Sequence, residues 1–272
     1  MRSPTQRAFS YADVVTAAKV AFGEPVSHAT ELSGGSFGTV WRVDLADGRS
    51  TVLKVGPDPA AKLLRYEAGM LACEAQYLRL VEARAPGVPG PRLLHEGDDW
   101  LFMTLVPGTP LHGLPDTVDG APARFEAGAA IARLHGVTGD FFGYPGDRPH
   151  ADAWPAAFAG MLDALLADAV DWGVELPVEP EALRRLVSRH HDVLVGVTTP
   201  VLLHFDLWDG NVLTVPGAPA ATGERTARLS GIVDGERYLW GDPMIDFASP
   251  WLLRDIFADP EHPFVRGYQS VR

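Results

Sequence analysis

The texture of this chain changes once, at Pro107-Gly108-Thr109-Pro110, and that change limits the folds open to it. Upstream, strand texture runs from Leu32 to Val55. Thr39-Val40-Trp41-Arg42-Val43-Asp44-Leu45 is rich in β-formers, Asp47-Gly48 is a hairpin turn, and Ser50-Thr51-Val52-Leu53-Lys54-Val55 returns. Leu93-Leu94-His95 and Trp100 to Val106 read as two further strands. Ser10-Tyr11-Ala12-Asp13 is a capping box opening a short helix to Phe22. From Ala60 to Arg84, the residues Leu63, Leu64, Met70, Leu71, Leu78 and Val81 recur at helical spacing, and Pro86-Gly87-Val88-Pro89-Gly90-Pro91 stops the pattern. Downstream, Ala123–His135, Asp152–Trp172 and Pro180–Val195 read as helices closing on Gly136, Gly173 and Gly196, and Pro216 to Glu224 reads as a loop between strands. Strands gathered in the first third and helices in the remainder predict an α+β chain.

At 272 residues and 46% hydrophobic composition the chain can bury a substantial core. No run of apolar residues is long enough to predict a membrane span. The single cysteine, Cys73, excludes an internal disulfide and a multi-cysteine metal site, and fits a reducing cytoplasm. A formal net charge of −12 argues against a general nucleic-acid partner, which needs cationic surface to replace phosphate counterions. Nothing in the sequence sets an oligomeric state.

The segment richest in chemistry is Leu202-Leu203-His204-Phe205-Asp206-Leu207-Trp208-Asp209-Gly210-Asn211-Val212-Leu213. An apolar run delivers Asp206, and Asn211 follows before the apolar residues resume. A carboxylate held on a loop between buried strands can take the proton of a hydroxyl nucleophile, and a nearby amide oxygen can ligate a hard cation. A second acid, Asp234, ends the apolar run Gly231-Ile232-Val233. Asp206, Asn211 and Asp234 together are what a Mg²⁺-assisted phosphoryl transfer requires. His204 and His135 read as structural, Asp242 and Asp246 as hydrogen-bonders of the core, and His190-His191 as solvated surface.

His204-x-Asp206-x-x-x-x-Asn211 followed by Asp234 resembles the catalytic loop and metal-binding acid of protein-kinase-like enzymes. With Gly241-Asp242-Pro243-Met244-Ile245-Asp246 and Ile131-Ala132-Arg133-Leu134-His135, the closer resemblance is to the aminoglycoside phosphotransferase family, which includes choline, fructosamine and related small-molecule kinases. The resemblance runs from about Leu32 to Tyr268. It implies a protein-kinase-like two-lobed fold. Residues 1–106 form an N-lobe of antiparallel sheet with one long helix, and residues 107–272 a mainly helical C-lobe lacking its C-terminal end. It implies ATP or GTP as phosphoryl donor, Mg²⁺, and a hydroxyl of a small molecule as acceptor. An aminoglycoside, another antibiotic, an amino sugar or a choline-like metabolite all fit. Leu32 to Val40 resembles the glycine-rich phosphate loop, with Gly34, Gly35, Ser36 and Gly38 over the phosphates and Ser33 where the first glycine usually sits. Lys54 stands where the phosphate-holding lysine stands, with Glu74 or Glu67 as its partner; the segment Cys73 to Arg79 favours Glu74. The backbone of Thr104 to Val106 would bind adenine. Asp206 would be the base, and Asn211 and Asp234 the metal ligands.

Two departures bear on geometry. Phe205 replaces a glycine common between the family's histidine and aspartate, which predicts a slightly altered loop, and Asp234-Gly235-Glu236 lacks an aromatic after the acid. The protein-kinase Ala-Pro-Glu signature is absent, against a protein substrate. The acids Asp152, Asp163, Asp168, Asp171 and Glu175 border the acceptor region in relatives; they suit a cationic acceptor, and suit the wet face of a helix better. Two other readings compete. One is a catalytically silent nucleotide-binding pseudokinase, although the base, the metal ligands and the lysine are all present. The other is a serine hydrolase using Ser36 in Gly34-Gly35-Ser36-Phe37-Gly38, which would need a helix after Gly38 where the sequence predicts a strand.

Overall fold

The computed structural model describes residues 3–32, 35, 37–220, 223–248 and 256–272. In the N-terminal region, helix α1 (Tyr11–Phe22) precedes strands β1 (Val26–Leu32), β2 (Thr39–Leu45) and β3 (Ser50–Val55), helix α2 (Met70–Arg84), and strands β4 (Leu93–Glu96) and β5 (Trp100–Thr104). The five strands form one antiparallel sheet in the order β1-β2-β3-β5-β4. Ser10 caps α1 through the reciprocal Ser10–Asp13 box that the sequence predicts. Strand alternation divides the sheet between two cores. Trp41, Val43, Leu53 and Phe102 pack with Val14 and Ala18 of α1. Leu101 and Met103 face the opposite way, into the core shared with Tyr77, Leu78 and Val81 of α2 and with Ile131 and Leu134 further along the chain.

The rest of the chain carries β6 (Thr109–Pro110), β7 (Val118–Asp119), α3 (Ala121–Leu134), β8 (Phe142–Gly143), β9 (His150–Ala151), α4 (Trp154–Trp172), α5 (Pro180–Arg189), α6 (His191–Val195), β10 (Val201–Leu203), β11 (Val212–Pro216), β12 (Arg225–Ile232), β13 (Leu239–Gly241) and α7 (Pro263–Gln269). Its strands form two small sheets, β10-β13-β8-β9 and β6-β11-β12-β7. The architecture is the α+β arrangement expected, with the large antiparallel sheet first and most of the helices after it. Among the described residues, no helix is long and apolar enough to cross a membrane.

Three boundaries differ from the sequence reading. The helix expected from Ala60 begins only at Met70, because Gly69 takes a left-handed φ of 71° that breaks the spiral, and Arg65–Glu67 forms a separate 3-10 turn. The helix expected over Pro180–Val195 is two helices, α5 and α6, divided at His190. The first strand begins at Val26 rather than Leu32, on a segment whose alternation is mostly polar and exposed.

Helix α7 reaches α3 through two glycines. A Cβ on Gly128 would lie 2.0 Å from the Phe264 carbonyl oxygen, and one on Gly267 would lie 1.8 Å from that of Phe125. Both contacts are with backbone, so neither can be relieved by turning a side chain. Gly267→Ala is therefore expected to force the helices apart and to destabilise the fold by about 1–3 kcal/mol, as overpacking does. Urea unfolding, read against an alanine at Gly160, whose Cβ would meet only Pro149 Cβ at 3.8 Å, checks this.

Candidate functional site

Lys54 is the buried centre of the site. It lies on β3, paired in register with Val40 and Leu101 of the flanking strands. Its ammonium lies 2.7 Å from Glu74 Oε2, 2.8 Å from Glu236 Oε2 and 2.9 Å from Asp234 Oδ1. Glu74 comes from α2 and is fully buried; Asp234 and Glu236 come from the turn that follows β12. Glu67 is elsewhere, its carboxylate accepting from the Leu64 N–H at 2.9 Å. Glu236 is a residue that sequence reasoning quoted but did not use. Its only signal is an acid two places beyond Asp234, in a turn tight enough to bring both to one cation.

Burial works against a charged lysine, but the carboxylates of Asp234, Glu236 and Glu74 outweigh it and hold Lys54 well above the ordinary lysine pKa. Glu74 moves the other way from an ordinary carboxyl. Burial raises it, Lys54 only partly offsets this, Glu236 and Asp234 add repulsion, and it reaches about 8. Neither Glu74 oxygen accepts a well-directed hydrogen bond, which leaves burial weakly opposed. Asp234 is also pushed up by burial, but the Lys54 ammonium wins and holds it below the usual carboxylate range.

Gly235 allows the turn to seat. A Cβ there would fall 2.1 Å from the ring of Tyr77 on α2. Tyr77 in turn lies edge-on to His204, with ring centroids 5.8 Å apart at 90°. His204 Nε2 lies 2.9 Å from the Val233 carbonyl oxygen, which can only accept, so the Nε2–H tautomer donates there.

The loop from His204 to Asn211 is held at both ends. At its start, the backbone N–H groups of His204 and Phe205 donate to Asp246 Oδ2 and Oδ1 at 2.9 and 2.7 Å, and His135 Nε2 lies 3.0 Å from Asp246 Oδ2. Burial raises the Asp246 pKa, and the His135 hydrogen bond and nearby imidazoles outweigh it, so the group stays below the usual range. At its end, Asp209 pairs with Arg124 of α3, and Asn211 Nδ2 donates to the Asp206 carbonyl at 2.8 Å. The Val233 N–H donates to the Asn211 carbonyl at 3.0 Å, and β11 and β12 pair Val212 with Ile232. Strand register therefore sets Asn211 beside the segment that carries Asp234.

Phe205 adopts φ 66°, in the left-handed region a glycine favours. The aromatic residue thus holds a backbone conformation that a glycine would adopt without strain. Asp206 is about one-third exposed, and its Oδ2 lies 3.5 Å from Arg237 Nε. Arg237 also donates to the Tyr66 hydroxyl at 2.6 Å.

The glycine-rich segment is described in part. Gly34 and Ser36 lie outside the described residues. Gln6 Nε2 donates to the Gly35 carbonyl at 2.9 Å, and a Cβ on Gly38 would fall 2.7 Å from the Val55 carbonyl, beside Lys54. Of the stretch Thr104–Val106, the Thr104 N–H already donates to the Arg92 carbonyl at 2.9 Å, and Thr104 Oγ1 accepts from the Arg92 N–H. The Thr104 N–H is thereby committed to Arg92, the residue before β4.

A family model described as the phosphotransferase enzyme family, APH, matches residues 28–271. The chain belongs to this family. It is thus an enzyme of the small-molecule kinase type, and solved structures show the fold. A fructosamine-3-kinase candidate from Thermobifida fusca superposes with a TM-score of 0.70 at 23% identity, covering 96% of this chain and 85% of that one. The ADP-bound aminoglycoside phosphotransferase APH(2'')-Ib superposes with a TM-score of 0.62 at 16% identity, covering 96% and 82%. In sequence, the chain is 25% identical over 268 residues to a protein of Klebsiella aerogenes named a probable ketoamine kinase, covering 92% of this chain and 80% of that protein.

The electrostatics of this APH-family site give a pH dependence of stability. Glu74 titrates near 8 when folded and near the ordinary glutamate value of about 4.3 when unfolded. Between those values the folded state holds a proton the unfolded chain has lost, so this group's contribution to stability falls as pH rises through that window. Thermal unfolding of the nucleotide-free protein from pH 5 to pH 8 checks this; Glu74→Gln, which cannot ionise, is expected to flatten the decline.

Proposed function

We propose that this enzyme transfers the γ-phosphoryl group of ATP or GTP to a hydroxyl of a small molecule. The observation that carries the proposal is the convergence of Lys54, Glu74 and Asp234, which lie far apart in the chain, at one cluster within hydrogen-bond distance of a single ammonium. Lys54, positioned by Glu74, holds the donor phosphates, and the glycine-rich segment, Gly34, Gly35, Ser36 and Gly38, is assigned to them as well. The backbone of Thr104 to Val106 is assigned to the base of the nucleotide. Residues 1–106 and 107–272 act as the two lobes around the cleft.

The residues present fit Mg²⁺. Asp234, Glu236 and Glu74 place carboxylate oxygens within 4.8 Å of one another, a hard donor set of the kind Mg²⁺ takes. Asn211, whose amide nitrogen is engaged with the Asp206 carbonyl, has its oxygen left as a ligand. Asn211 and Asp234 are assigned as the residues that hold the ion. When bound, Mg²⁺ neutralises charge on the transferring phosphates. Asp234 pairs with Lys54, and would be free to hold the ion where donor phosphates engaged that ammonium.

Asp206 accepts the proton of the acceptor hydroxyl as its oxygen bonds to phosphorus and the bond to the departing diphosphate breaks. Arg237 beside it opposes the build-up of negative charge. Ketoamines, fructosamines and aminoglycosides, the classes in the names of the similar proteins, are the acceptors to screen first. The serine-hydrolase reading loses its structural requirement, since Gly38 is followed by strand β2 rather than a helix.

Asp206→Asn is expected to lower kcat by about 10²–10⁴, the usual worth of a positioned base, with nucleotide affinity within about threefold of the parent. Coupled ADP release and calorimetric nucleotide binding measure the two. Nucleotide binding with no ADP release above background across the acceptor panel would instead establish the silent-binder reading.

A further inference from the structure

A cavity of about 430 Å³ opens beside the loop that carries Asp206. Its walls are apolar: Phe205 and Tyr144 on one side, Phe158, Met161 and Leu165 of α4 on another, and Leu186 of α5 above. The few polar groups at its edge are engaged or wet. Asp168 accepts from the Arg65 backbone N–H at 2.9 Å and pairs with the Arg65 guanidinium; the Tyr66 hydroxyl accepts from Arg237; His190 is at the exposed surface. No residue of α5 is buried, although Leu183, Leu186 and Val187 all line this space.

Phe205 connects the cavity to the chemistry. It directly precedes Asp206, and its ring meets Tyr144 edge-on at 6.1 Å in the cavity wall. It holds a left-handed φ of 66° that an aromatic residue adopts at a cost, and two hydrogen bonds to Asp246 keep the loop in place. A glycine would hold that backbone without strain and leave the wall open. The strained residue is therefore explained by its side chain and not by its backbone.

We infer that the acceptor is an alcohol with an apolar body, which this cavity encloses while Phe205 aims its hydroxyl toward Asp206. The volume matches a small molecule and excludes a folded partner. Among the described residues, the one carboxylate lining the cavity, Asp168, is already paired with Arg65, so the cavity gives a polycationic acceptor no free counter-charge. This inference rests on the phosphotransfer reading for the word acceptor, but the cavity's preference can be measured without turnover.

The test uses primary alcohols from ethanol to octanol as probes. Ligand-observed NMR gives their dissociation constants, and ADP release gives kcat/KM. Affinity is expected to tighten about threefold to fourfold per methylene until the cavity is filled. The dependence on chain length is expected to flatten in Leu186→Glu, at a rim position exposed enough to accept a charge, and in Phe205→Gly, which removes a wall while relieving the backbone. Chain-length-dependent binding with no ADP release from any alcohol or from the wider acceptor panel would count against the kinase reading and leave the cavity's apolar preference standing, whereas the same binding with ADP release only from hydroxylated amines would overturn the inference. ADP release from hydroxylated amines with no chain-length dependence of alcohol binding would overturn the inference and leave the kinase reading standing. The same dependence in wild type and both variants would also overturn it, by placing the binding elsewhere.

Discussion

A buried ammonium must be matched by negative charge, and the rest of the site follows from that requirement at Lys54. Taken out of water alone, the lysine would shed its proton. Three carboxylates keep it charged, and each comes with its own piece of structure: Glu74 with α2, Asp234 and Glu236 with the turn after β12. The sheet, the long helix and the hairpin of the later chain are thereby tied at one point. The tie is over-supplied, since three carboxylates face one ammonium, and that surplus adds to the burial that raises the pKa of Glu74. A cluster with excess negative charge is suited to receive further cation. That makes the cluster a place for chemistry as well as a structural clamp, although buried charge by itself is weak grounds for stability.

Asp246 solves the corresponding problem for the loop. It is fully buried and cannot reach the reacting groups, yet its two oxygens take the His204 and Phe205 N–H groups and the His135 ring. Backbone donors that a sharp loop would leave unpaired are satisfied, and a left-handed aromatic residue is held in place. Arg124 and Asn211 secure the other end. The position of Asp206 is thus set by hydrogen bonds and an ion pair at the two ends of its loop.

Much of this was legible in the sequence because the signals were local. The Ser10–Asp13 box, the Asp47-Gly48 hairpin and the spacing from Asp206 to Asn211 each depend on a few neighbouring residues, and each appears where it was read. The convergence of Lys54 with Glu74 and Asp234 was read from resemblance in motif order, since spacing alone cannot report a contact across 180 positions. Glu236 went unread because its role exists only after the turn at Gly235 has brought it to Lys54. Helix α2 was extended too far because Leu63 and Leu64 continue the apolar period, and the period carries no trace of the left-handed Gly69. Pro180–Val195 split for a similar reason: periodicity persists through His190 although the backbone turns there. The committed donor of Thr104 depends on where Arg92 ends up, which is a tertiary fact.

Charge shows how far a global property can mislead about a site. A net charge of −12 and acids along α4 make a cationic acceptor plausible on sequence. In the folded chain Asp163, Asp168 and Asp171 are each paired with an arginine, so their charge is already neutralised locally. What α4 presents to the cavity is Phe158, Met161 and Leu165. A charged ligand there would lose hydration without gaining a partner, whereas an apolar one would gain from leaving water. The cleft is therefore divided by chemistry: the region around Lys54 suits phosphate and cation, and the region beyond Phe205 suits hydrocarbon. Phe205, in the wall of the second region, directly precedes Asp206, and Asp206 pairs with Arg237 of the turn that brings Asp234 and Glu236 to Lys54.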